Sequence, residues 1–138
     1  MGIGRKHIHL DFHNHPSIPD VGAEFDPERF AHTIKATGAE AVNVFGKCTH
    51  GMSYYPTEIG LQHPGLNGRD LLGEMIEALH RVGLRAPVYY CVGWEERLSR
   101  LRPEWMQIRH NGVPATTLSE TEEMLPDAPG TWHYMDLH

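Results

Sequence analysis

Apolar and polar residues alternate through residues 7–13, with Ile8, Leu10 and Phe12 on one side and His9, Asp11 and His13 on the other. That period of two predicts a half-buried strand. The period then changes. Asp26, Pro27 and Glu28 compose a helix start: a capping side chain, a first-turn proline and an acid beside the unpaired N–H groups. Phe30, Ala31 and Ile34 recur at helical spacing up to a stop at Gly38, and the apolar run over residues 41–45 predicts a short buried strand. The same unit returns with Asp70 as cap, Leu71, Leu72, Met75, Ile76, Leu79 and Val82 on one helical face, a stop at Gly83 and a strand over residues 86–92.

Strands joined by single helices predict a parallel sheet with right-handed crossovers and its helices on one side. The expected fold is α/β, the N-terminal portion of a (β/α)8 TIM barrel with about three parallel strands and two long helices. A doubly wound nucleotide-binding sheet would carry a glycine-rich turn after its first strand, where this chain reads Phe12-His13-Asn14-His15-Pro16. Beyond residue 92 the pattern predicts a short helix over 94–101, a small hairpin around Asn111-Gly112, an exposed acidic stretch over 116–130 and renewed order over 132–137. A complete barrel takes about 250 residues. The 138 residues present therefore read as one domain, 1–138, truncated at its C-terminal end.

Composition narrows the function. A formal net charge of −6, without any Lys/Arg run, argues against nucleic-acid binding. No apolar stretch approaches the roughly 18 residues of a membrane span, and the N-terminus has no apolar signal region, which points to a cytoplasmic protein. Cys48 and Cys91 lack C-x-x-C spacing and read as free thiols.

The candidate chemistry clusters after the predicted strands, where α/β barrels place their sites. Residues 46–67 form a long, aromatic-rich loop, and such loops usually bind or gate. Lys47 and His50 suit hydroxyls or a developing oxyanion. Asp11 and His13 point up from strand one and could bond hydroxyls, the plainer alternative being a self-paired polar layer. Tyr54, Tyr55 and Trp94 could stack on the apolar face of a ligand ring, or serve only as packing. Glu95 and Glu96 follow strand three as acid/base candidates, although a solvated helix start explains them more simply.

Five runs carry a resemblance: His9-Leu10-Asp11-Phe12-His13; Phe25-Asp26-Pro27-Glu28-Arg29-Phe30-Ala31; residues 44–57 from Val44 to Thr57; Pro87-Val88-Tyr89-Tyr90-Cys91-Val92-Gly93-Trp94; and Pro103-Glu104-Trp105. Together they resemble the N-terminal part of a family of glycoside hydrolases whose members are often joined to a beta-galactosidase-type trimerisation domain. Lys47 to Met52 is similar to the Lys-His-His-Asp-Gly-Phe segment of alpha-L-fucosidases, with Cys48 and Thr49 departing from it. The resemblance implies a barrel acting on carbohydrate as a retaining O-glycosidase, which needs two carboxylates about 5 to 5.5 Å apart. It puts the nucleophile at the end of a fourth strand, beyond His138. This chain would then supply substrate-binding residues, need no cofactor, and form any homo-oligomer through regions outside it.

Two alternatives stand beside it. Asp11-x-His13-x-His15 matches the metal motif of amidohydrolase and phosphoesterase barrels, although Pro16 favours a loop leaving the strand, which would make His13 and His15 diverge. A non-catalytic carbohydrate-binding fragment is the third reading.

Overall fold

A computed structural model describes residues 5–115 and 133–136. Strands β1 (His7–His9), β2 (Ala41–Lys47) and β3 (Val88–Tyr90) pair in parallel in that order. Helix α1 (Pro27–Ala36) joins β1 to β2, and α2 (Leu71–Arg81) joins β2 to β3. Both start as the sequence requires: the Asp26 carboxylate accepts from Arg29 N at 2.9 Å and the Asp70 carboxylate from Gly73 N at 2.8 Å. The result is the α/β pattern of a partial TIM barrel, with β2 in the centre.

Val42, Val44 and Phe45 of β2 are fully buried, as expected of a parallel strand covered on both faces. Met75, Leu79 and Leu84 join Val42 and Val44 in the core, each buried side chain contributing about 1.5–3 kcal/mol. On the opposite face Phe45 lies between Tyr89, 4.4 Å away centre to centre, and Phe12, 4.8 Å away.

Strand β1 is shorter than the alternation predicts. Its last ladder bond runs from Leu10 N to Asn43 O at 3.1 Å. Beyond it Phe12 and His13, neighbours in sequence, both rest on Phe45, so the two-sided pattern has ended. The Tyr54 hydroxyl takes the segment off the ladder by donating to Phe12 O and accepting from Asn14 N.

After β3 the chain makes a short β4 (Trp94–Glu95), which pairs antiparallel with β5 (His133–Tyr134), and helix α3 (Glu96–Leu101). The hairpin forms around Asn111-Gly112, with Arg109 N donating to Val113 O at 2.9 Å. Residues 116–130, together with Trp132 and Leu137 of the predicted last segment, lie outside the described residues. No helix of the described residues is long and apolar enough to cross a membrane.

Candidate active site

All three strands of the sheet end at the same edge, and the candidate residues gather there in two groups on opposite faces. The register decides which is which. Phe45 pairs with Tyr89, while the next pairing joins Lys47 to Tyr90, with an irregularity between. Tyr89 and Tyr90 are consecutive and point to opposite faces, so the bulge turns Lys47 away from the face of Phe45. The Lys47 ammonium lies 5.3 Å from the Tyr90 ring centre. Gly46 permits this crowding, because a Cβ there would stand 2.8 Å from Val88 Cγ1. Lys47 and His13 thus lie at the same end of the sheet but on different faces, because the bulge reverses simple alternation.

On that second face Lys47 forms a buried ion pair with Glu95, which is only 1% exposed. Burial pushes the Glu95 carboxyl above its ordinary range, while Lys47 and the Leu98 N–H pull it back. Glu95 also caps α3. Its other oxygen occupies the space beside Gly51: a Cβ at Gly51, whose φ is +82°, would meet Glu95 Oε1 at 1.9 Å. Glu96 is buried too, its carboxylate 2.5 Å from His50 Nδ1 and 2.9 Å from Arg100. Neither glutamate is the solvated helix start expected from sequence: Glu95 holds Lys47, and Glu96 lies between His50 and Arg100. Arg97, Arg100, Met52 and Leu61 join His50 and Glu96 around a cavity of about 360 Å³.

The first face carries His9, Phe45, Tyr89 and, above them, His13, whose ring lies 5.1 Å from Phe45 and 6.4 Å from Tyr89. Thr49 N donates to His13 Nδ1 at 3.1 Å, with Thr49 Oγ1 at 3.0 Å from the same nitrogen. A backbone N–H can only donate, so Nδ1 is the acceptor and the proton sits on Nε2. Nε2 then donates to Asp11 Oδ1 at 2.9 Å. Burial lowers the His13 pKa against the pull of Asp11. The neutral tautomer matches both bonds.

The remaining candidates separate. Tyr54 is completely buried, its hydroxyl committed to the backbone of the β1 loop, and presents no face for a sugar. Tyr55 is hydrogen-bonded to Tyr90 and so belongs to the side of Lys47. Trp94 is 40% exposed at the end of β3. His15 Nδ1 accepts from Ser17 N at 3.2 Å, and its ring lies edge-on to His50 at 5.4 Å. With both His13 nitrogens engaged, Asp11, His13 and His15 do not converge on one point, and the described residues hold no cluster of three His, Cys, Asp or Glu suited to a metal ion.

Two residues went unnoticed in the sequence. Thr49 ties the β1 loop, through His13, to α3, through the bond from Glu96 N to its carbonyl at 2.8 Å. Its one signal was that it departs from the fucosidase-like segment. His63, 1% exposed, accepts from Gly65 N and reaches His15 O at 3.2 Å, pinning the two long loops together.

A three-stranded parallel start of a barrel, with carboxylates, imidazoles and aromatics at its C-terminal edge, has the layout of an α/β-barrel glycoside hydrolase. The family model described as Hypothetical glycosyl hydrolase 6 matches residues 26–136, and the chain belongs to that family. It is 32% identical to alpha-L-fucosidase isoenzyme 2 from Paenibacillus thiaminolyticus, with a TM-score of 0.80 over 94% of this chain and 18% of that one. A Thermotoga maritima alpha-L-fucosynthase, in complex with alpha-L-Fuc-(1-2)-beta-L-Fuc-N3, is 28% identical, with a TM-score of 0.52 over 60% of this chain and 20% of that one. The chain thus spans about a fifth of the length of either structure. No curated protein matches it.

Proposed function

We propose that this chain supplies the substrate-binding edge of a retaining O-glycosidase whose nucleophile comes from sequence beyond His138. The observation that carries the reading is the string Asp11–His13–Thr49 above the aromatic face of the sheet. His13 donates to one oxygen of Asp11, and the Asp11 side chain is 64% exposed. An oriented, solvent-facing carboxylate is a strong acceptor for sugar hydroxyls. Membership of a glycosyl hydrolase family supports carbohydrate as the substrate. Two structural relatives are named for fucosyl chemistry, so L-fucosides are the first substrates to try.

A metal-dependent amidohydrolase is less well supported, because a metal at His13 would have to displace either Thr49 or Asp11. The proposed division of labour is tested with aryl glycosides. The 138-residue chain should release no phenol, and the same chain continued through the rest of its barrel should. Turnover by the isolated chain would contradict the proposal.

A further inference from the structure

We propose that Thr49 is a positioning residue of the candidate site: it fixes the His13 imidazole as the Nε2–H tautomer, and His13 in turn orients the Asp11 carboxylate toward substrate. The second half rests on the proposed role of Asp11; the first stands on the geometry of the loop alone. Thr49 is completely buried, two residues past the end of β2. Its N–H lies 3.1 Å and its hydroxyl oxygen 3.0 Å from His13 Nδ1, while its carbonyl accepts from Glu96 N at 2.8 Å. Glu96 opens α3, and its carboxylate also holds His50, so residues 49 and 50 are tied to that helix through backbone and side chain together. A β-branched side chain is stiff at χ1 as well. Thr49 is thus the fixed partner, and the His13 ring has to meet it.

Two donors aimed at one ring nitrogen decide its state. Moving the proton to Nδ1 would set it against the Thr49 N–H and turn a bare Nε2 lone pair toward Asp11 Oδ1, 2.9 Å away, so both contacts would be lost. The imidazolium keeps the Asp11 bond but still opposes the Thr49 N–H, and burial disfavours its charge. Only the Nε2–H ring satisfies both neighbours. Any residue except proline would bring the backbone N–H to this position; the hydroxyl is what threonine adds. A carboxylate already held at Oδ1 has less freedom to lose when a ligand arrives, which lowers the ordering cost of binding.

The test is the two-bond proton–nitrogen spectrum of the His13 ring in the 138-residue chain, followed against pH for the parent, Thr49→Val and Thr49→Ser. At about pH 7.5, well above the ordinary histidine pKa, the parent should carry its proton on Nε2 and none on Nδ1. Thr49→Val removes one of two donors to the neutral ring, and the His13 pKa should rise by about half to one pH unit. Thr49→Ser should keep the parent value. Asp11, His9, His50 and Tyr89, the titratable groups around the ring, are the same in all three proteins. A merely structural role would lower the melting temperature and leave this titration unmoved. Thr49→Ala, which also lacks the hydroxyl, takes over if Thr49→Val does not fold. A parent ring protonated on Nδ1, an unmoved pKa without the hydroxyl, or a Thr49→Ser that titrates like Thr49→Val would each overturn the positioning role. In the proposed longer protein, Thr49→Val should raise KM for an aryl glycoside about three- to tenfold with kcat within about twofold. A longer protein without turnover would count against the glycosidase reading, and the ring spectra would still decide whether Thr49 sets His13.

Discussion

Phe45 and Lys47, two positions apart in β2, face opposite sides of the sheet. The bulge at Gly46 does this, and it divides the C-terminal edge into an aromatic side carrying Asp11 and His13 and an ion-paired side carrying Lys47 and Glu95. The first carries the exposed Asp11 carboxylate. The second fastens the loop after β2 to α3.

Lys47→Met should therefore destabilise the protein strongly. It leaves the Glu95 carboxylate buried without its cation, a loss of about 3–5 kcal/mol in comparable buried pairs. Combining it with Glu95→Leu should recover a large part of that loss, since two apolar groups need no partner. Urea unfolding of the two single variants and the double variant measures the difference. Equal and additive losses would show that the pair is not coupled.

Gly51→Ala should cost more than Gly46→Ala. The first adds a Cβ at φ +82° against Glu95 Oε1 at 1.9 Å and Arg97 Cβ at 2.7 Å. A non-glycine residue in the left-handed region alone costs about 1–2 kcal/mol, and the collision adds to it. At Gly46 the contact is the methyl of half-exposed Val88, which can move, so about 1 kcal/mol is expected. Thermal unfolding of both variants orders them.

Acid should loosen the two long loops. Burial lowers the pKa of both His13 and His63 in the fold, so the unfolded chain binds more protons once the pH drops below about 6.5. Their stabilising contribution is complete above that pH and declines as pH falls toward the lowered values. Glu95, shifted upward, works in the opposite sense and partly offsets the loss at lower pH. Melting temperature measured from about pH 7.5 down to about 5.5 should fall, and His13→Asn should flatten the profile.

The parallel order of strands and helices was legible because each element carries its own periodicity and stop: the Asp26 and Asp70 caps and the breaks at Gly38 and Gly83 all act within a few residues. The site was less so. A count of alternate residues from Phe45 would put Lys47 on the same face, and one extra residue in the ladder reverses that count. The burial of Glu95 and Glu96 depends on Lys47 and His50, which lie 48 and 46 residues earlier in the chain. For Tyr54 stacking and packing both stay open in the sequence, because composition cannot distinguish an aromatic that faces solvent from one that seals a loop onto Phe12.

The central claim is that Asp11, and not the face of Lys47, meets the sugar. The most direct measurement is kcat/KM toward an aryl glycoside, in the proposed longer protein with this chain continued through the rest of a barrel, for Asp11→Asn against Tyr55→Phe. Asp11→Asn removes a charged acceptor from the open side, and kcat/KM should fall about 10- to 100-fold, corresponding to the roughly 1.5–3 kcal/mol of a hydrogen bond to a charged group. Tyr55→Phe removes a hydroxyl that interacts with Tyr90 on the far side and should leave kcat/KM within about twofold. A large loss in Tyr55→Phe with Asp11→Asn unaffected would contradict the account.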